Sequence, residues 1–98
     1  MEFILPEKNG FTVYSKSGCL NCSLVKKLIK EKHFLFQDVN CDEYLFENKE
    51  DFLFFIKSIA KVEYKMFPIV FYEGNFIGGL KETDEIIKKL LLTFEENF

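Results

Sequence analysis

The period of the apolar positions changes along this chain, and each change marks an element. Residues 11–14, Phe-Thr-Val-Tyr, are β-favouring and predict a strand. From Leu20 the apolar positions are Leu20, Leu24, Val25, Leu28 and Ile29. A stripe at i, i+4, i+5, i+8 and i+9 predicts an amphipathic helix over residues 20–32. Residues 34–39 return to strand character, and residues 40–44 read as polar and turn-like. Over residues 49–62, Phe52, Phe55, Ile56, Ile59 and Ala60 recur at helical spacing, with Phe54 off the stripe. Residues 67–72 are an aromatic and β-branched run with Pro68 near its start. A hairpin-type turn at residues 73–75 leads into a returning strand over residues 75–77. Gly78-Gly79 ends that strand. Thr83 is the expected N-cap of a last helix, with Asp84 and Glu85 in its first turn, where the dipole favours acids. Ile86, Ile87, Leu90, Leu91 and Phe94 form its stripe.

The order is β-α-β-α-β-β-α. Strand, helix and strand in succession imply a parallel pair with a right-handed crossover, and the hairpin adds antiparallel strands. The expectation is an α/β fold with a mixed four-stranded sheet flanked by about three helices. With 98 residues, one domain spanning residues 1–98 is expected, with residues 1–9 as a short leader.

Composition narrows the function. The net charge is −3, and all 13 basic residues are lysine. A nucleic-acid footprint needs a clustered basic face, usually rich in arginine, so nucleic acid is not an expected partner. No apolar run is long enough to span a bilayer, and residues 3–5 are too short for a signal-peptide core, so a cytoplasmic protein with no membrane partner is expected. In a reducing compartment three cysteines do not make a disulfide scaffold. They are catalytic, metal-binding or buried.

Cys19-Leu-Asn-Cys22 carries the most information. The pair follows the first strand and opens the first helix. Cys19 at a helix N-terminus lies near unpaired N–H groups, which favour thiolate over thiol. Lys16 can add positive charge to the same site as an activating residue. A spacing of three puts both sulfurs on one side of a turn, close enough to bridge. Cys19 then suits a nucleophile and Cys22 a resolving thiol. Two other readings compete. A structural zinc site needs about four ligands, whereas the chain has no second C-x-x-C and has one histidine, His33, at the far end of the helix. Alternatively, both cysteines are inert and buried.

Four segments together resemble the glutaredoxin family of the thioredoxin fold. They are residues 12–22 with Lys16 and the dithiol, Met66-Phe67-Pro68, residues 70–77, and Gly78-Gly79. The resemblance spans residues 11–91. It implies a thiol–disulfide oxidoreductase that acts on protein disulfides or glutathione mixed disulfides, with glutathione as co-substrate and no metal. It also implies a cis Pro68, with the Phe67 backbone facing substrate. Glutathione would lie across Phe67, Pro68, Gly78 and Gly79. Its γ-glutamyl carboxylate would meet the N–H groups of Leu80 and Lys81, and its glycyl carboxylate would meet Lys16 and Lys65. A monomer with disulfide-containing protein partners is expected.

The chain departs from the family's pattern in three places. Leu20 stands where many dithiol members have proline, and that loss is associated with occasional [2Fe-2S] cluster binding, so a glutathione-ligated cluster carrier is an alternative. Met66-Phe67 replaces Thr-Val and makes that wall bulkier. Lys81 stands where the family has the aspartate that holds the glutathione amine, which leaves Glu82 or Asp84 to substitute. That last change keeps open a redoxin reduced by thioredoxin reductase. Elsewhere, Cys41 is flanked by acids that oppose ionisation and reads as a non-catalytic thiol. Tyr14 and the Phe52, Phe54 and Phe55 cluster read as core, with exposure the alternative for Phe54, which is off the main stripe. Glu47, Glu50 and Asp51 have no pocket to support paired-carboxylate chemistry.

Overall fold

The structure is a computed structural model that describes residues 2–96, with side chains through residue 93. The expected contribution of Phe94 to the last helix's stripe lies outside those side chains. In chain order the elements are β1 (Phe11–Ser15), α1 (Leu20–Glu31), β2 (Phe36–Asn40), α2 (Asp42–Glu47), α3 (Lys49–Ala60), β3 (Ile69–Tyr72), β4 (Asn75–Gly78) and α4 (Leu80–Glu96). The sheet order is β2-β1-β3-β4. β1 and β2 are parallel, with Val13 opposite Asp38, and β1–β3 and β3–β4 are antiparallel. This is the mixed α/β sheet of the thioredoxin/glutaredoxin fold, with four helices among the described residues rather than about three.

Both faces of the sheet are covered, so every residue of β1 is buried. Alternation divides its side chains between two cores. Phe11 and Val13 pack with Val25, Ile29, Val70 and Ile87 beneath α1 and α4. Tyr14 packs with Val39, Cys41, Phe52, Ile56, Ile69 and Phe71 beneath α3. Thr12 is buried yet satisfied, since its Oγ1 accepts from the Glu7 N–H at 2.9 Å. Phe3 and Ile4 are pinned to the second core. Phe3 meets Tyr44, Phe52 and Phe55 with ring centroids at 4.9, 5.5 and 5.2 Å, and the Tyr14 hydroxyl donates to the Ile4 carbonyl at 2.6 Å.

Three local expectations need correction, and the alternative at Phe54 is decided. The second strand starts at Phe36 because residues 32–35 are spent leaving α1. The Lys32 N–H still reaches the Leu28 carbonyl, and His33 sits at φ 63° with its N–H on the Lys30 carbonyl. The expected turn at residues 40–44 instead opens α2, whose first turn carries Asp42 and Glu43 against the helix dipole. Phe54 is 73% exposed and does not join the core that buries Phe52. Thr83 is not the N-cap of the last helix, which begins three residues earlier at Leu80. There Glu82, the first-turn acid, reaches back to accept from the Gly79 N–H at 2.8 Å, and the buried Thr83 hydroxyl donates to the Gly79 carbonyl at 2.8 Å.

Candidate active site

The β1–α1 loop ends at Cys19, the N-cap residue of α1, in extended conformation. Its sulfur accepts from the Cys22 N–H at 3.1 Å, filling the role a serine or aspartate oxygen plays at other caps. Cys19 and Cys22 form a disulfide, with Cα atoms 5.2 Å apart. The two ends differ in access. Cys22 is 1% exposed and packed inward, while Cys19 is half-buried and open to one side. Leu20, at 71%, and Met66, at 75%, stand exposed beside the site.

The loop is held from outside. The Asp42 carboxylate accepts from the Ser17 N–H at 2.8 Å and also takes the Ser17 hydroxyl. Those two bonds hold the Asp42 carboxyl below its ordinary range, the hydroxyl contributing most. The Cys41 N–H donates to the Ser15 carbonyl at 2.8 Å. The short helix α2 thus secures the loop that carries Lys16 and Cys19.

The remaining sequence-predicted residues fall into two hollows that share Phe67. One is a cleft of about 370 Å³ lined by Asn21, Phe67, Pro68, Gly79, Leu80 and Lys81, together with Tyr64 and Glu82. The Phe67–Pro68 peptide bond is cis. A Cβ on Gly79 would come 3.1 Å from the Tyr64 hydroxyl and 3.5 Å from the Pro68 carbonyl, so glycine keeps this wall open. Gly78 lies behind the cleft instead of lining it. It is buried at φ 131° against Glu82, whose Cγ would stand 2.7 Å from a Cβ there. Burial, and then the Glu82 carboxylate, push the Tyr64 hydroxyl up.

The second hollow is a groove of about 270 Å³ lined by Lys16, Leu45, Lys49, Leu53, Lys65 and Phe67. The Lys16 ammonium stands 5.3 Å over the Phe67 ring, a cation–π contact, and that ring stacks on Phe52 at 6.4 Å. Lys65 has Glu63 as a loose partner at 3.9 Å. Both proposed substitutes for the missing aspartate already have a partner. Glu82 is engaged by the Gly79 N–H, and Asp84 pairs with Lys88 at 2.9 Å. Among the described residues, no group of three or more His, Cys, Asp or Glu side chains could hold a metal ion.

Four contributors were not singled out from sequence. Lys49 could have been noticed as a cation at a helix start, where the dipole disfavours it. Asp42 could have been noticed in the polar run after β2. Tyr64 and Asn21 carried no usable signal, since nothing local shows which loop residue will face a cleft.

Comparison with known proteins defines the class. No family model matches the chain. The glutaredoxin-like protein NrdH of Lactococcus lactis is 26% identical over 73 residues, which covers 74% of this chain and 90% of that protein. The mitochondrial glutaredoxin-2 of Pongo abelii is 28% identical over 82 residues, 83% of this chain and 48% of its own length. Among solved structures, glutaredoxin 1 from Francisella tularensis, complexed with cacodylate, gives a TM-score of 0.71 at 22% identity over 83% of this chain and 94% of that one. The buckwheat glutaredoxin–glutathione complex gives 0.66 at 27% identity over 85% and 72%. The fold and the C-x-x-C pair are those of a thiol–disulfide oxidoreductase. Within that class the chain is glutaredoxin-like, with glutaredoxin homologues and structural neighbours and a dithiol at Cys19 and Cys22.

Proposed function

We propose that this protein, acting as a cytoplasmic monomer, reduces protein disulfides and glutathione mixed disulfides with Cys19 as nucleophile and Cys22 as resolving thiol. The observation that carries the reading is the unequal access of the two sulfurs at one helix N-terminus. The accessible one receives an N–H bond and the buried one waits a turn behind it. In the reduced protein the same N–H and the α1 dipole stabilise a Cys19 thiolate, and Lys16 adds positive charge. That thiolate attacks one sulfur of a substrate disulfide, giving a Cys19–substrate mixed disulfide and releasing the other sulfur as thiolate. Cys22, as thiolate, then attacks the Cys19 sulfur and releases the reduced substrate, leaving the Cys19–Cys22 disulfide. Two glutathione thiols return it to the dithiol. The first opens the bond as a mixed disulfide, and the second attacks that glutathione's sulfur and leaves as oxidised glutathione.

The cleft supports glutathione in part. The N–H groups of Leu80 and Lys81, in the first turn of α4, suit a carboxylate. The Phe67 backbone beside Pro68 suits an extended peptide. Lys16 and Lys65 suit the glycyl carboxylate across Phe67. The buckwheat glutaredoxin that gives a similar fold was solved with glutathione. One observation favours a second electron donor: Asp84 is paired with Lys88, and Glu82, the carboxylate that lines the cleft, already accepts from the Gly79 N–H and has Lys81 beside it, so the glutathione ammonium lacks a dedicated partner. That favours thioredoxin reductase as an alternative reductant. A cluster carrier would draw only Cys19 from this chain and take its other ligands from elsewhere. The deciding experiment measures turnover of a glutathione mixed disulfide with glutathione plus glutathione reductase, and with thioredoxin reductase. Turnover in the first system is expected. Turnover in the second alone overturns glutathione dependence.

A further inference from the structure

The Lys16, Lys49 and Lys65 groove is positive beyond what glutathione requires. The chain's net charge is −3, yet none of the residues lining this groove is acidic; it carries Lys16, three residues before Cys19, and shares Phe67 with the cleft that Asn21 lines. A glycyl carboxylate gives one negative charge, whereas the groove presents three ammonium groups over a floor of Leu45, Leu53 and Phe67. Lys49 is the first residue of α3, where the dipole disfavours a cation, and the next two residues, Glu50 and Asp51, follow the opposite preference. Past Leu53 and Lys65 the surface becomes mixed in charge, because the adjoining hollow sets Glu50 and Glu63 against Lys57 and Lys65 beside Phe54. The positive stretch is therefore short and bounded.

From this we propose that the groove docks a protein substrate through a short acidic segment, about two carboxylates next to the cysteine that Cys19 attacks. The proposal rests on the oxidoreductase reading and names the substrate class that reading leaves open. Complementary charge raises the encounter rate and orders the docked segment. The effect weakens as salt shortens the screening length, about 10 Å at 0.1 M and about 3 Å at 1 M. Lys49 acts here by contacting the substrate away from the reacting sulfurs.

The test is a single-turnover reaction, so the choice of electron donor does not enter. The pre-reduced protein is mixed with either of two synthetic cystine peptides of equal length. One carries two glutamates beside the attacked cysteine, the other two glutamines. Each turnover reduces one peptide disulfide to two thiols and oxidises Cys19 and Cys22 to their disulfide. At low salt the acidic peptide is expected to react several-fold faster, and the advantage should shrink at high salt. Lys49→Glu, which suits a helix N-terminus and leaves the fold intact, is expected to cut the acidic-to-neutral rate ratio about three- to tenfold. Lys89→Glu, on the exposed side of α4, makes the same change in net charge and should leave the ratio as it was. Equal rates for the two peptides overturn the proposal and leave the oxidoreductase reading standing. So does an equal loss of ratio in Lys89→Glu. If neither peptide oxidises the reduced protein, the oxidoreductase reading itself falls and the docking proposal goes with it.

Discussion

With the Cys19–Cys22 bond intact, Cys41 is the remaining thiol, and its surroundings make it a poor nucleophile. It is fully buried on the α3 face of the sheet, and its Sγ–H points at the Val39 carbonyl at 3.4 Å. Burial, then the carboxylates of Asp38 and Asp42, push its pKa from 9.0 up to about 12, while a bond from the Ser15 backbone opposes them. At pH 8 an ordinary thiol with the lower value is about one-tenth ionised, whereas Cys41 is about one part in ten thousand ionised. Alkylation proceeds through the thiolate, so ionisation alone slows it about a thousandfold, before steric protection. The assay is timed iodoacetamide labelling of the oxidised protein, read by intact mass. Labelling should stay negligible while a free-cysteine control is consumed, and should become fast once denaturant unfolds the chain. The pH dependence follows in sign. A folded-state pKa above the unfolded one gives stability that is complete below about pH 9 and is lost as pH rises toward 12. Labelling of the folded protein within tenfold of the control would refute the reasoning.

Further tests concern the loop and the core. Asp42→Ala removes the acceptor of both Ser17 bonds. Because that carboxyl is held below its ordinary range, its contribution is present at neutral pH and lost as pH falls through the folded-state value. Acid-unfolding curves of the variant and the parent should therefore differ near neutrality and converge in strong acid. Phe52→Ala empties a site with 0% exposure that touches Phe3, Tyr14, Tyr44 and Phe67, and should cost about 3–5 kcal/mol by urea unfolding. Phe54→Ser, at a position 73% exposed, should stay within about 0.5 kcal/mol of the parent in the same assay. Tyr14→Phe loses the bond to the Ile4 carbonyl and should cost about 0.5–1.5 kcal/mol, read the same way.

Legibility in sequence tracked how local each signal was. The stripe of Leu24, Val25, Leu28 and Ile29 marked α1, because one face of a helix must be apolar to cover the sheet. The Phe52, Ile56 and Ala60 spacing marked α3 and left Phe54 off its buried side. The C-x-x-C pair was readable because three residues make one helical turn, and its place after a strand put Cys19 at the cap. The unread parts depend on contacts between distant segments. α2 is only six residues long and contains no fully buried residue, so periodicity had nothing to count. Thr83 looked like a cap but is buried, because Glu82 closes the helix start through the Gly79 N–H three residues away. Lys49 and Tyr64 face the site only because α3 and the loop before Pro68 converge there.

The central claim is the division of labour between Cys19 and Cys22, and paired serine variants test it most directly. Each is assayed for reduction of a protein disulfide and of a glutathione mixed disulfide. Cys19→Ser is expected to lose both activities, since the other two thiols, Cys22 and Cys41, are buried and cannot replace the nucleophile. Cys22→Ser is expected to keep turnover of the glutathione mixed disulfide and lose dithiol reduction of the protein disulfide. Full activity of Cys19→Ser in either assay would contradict the account.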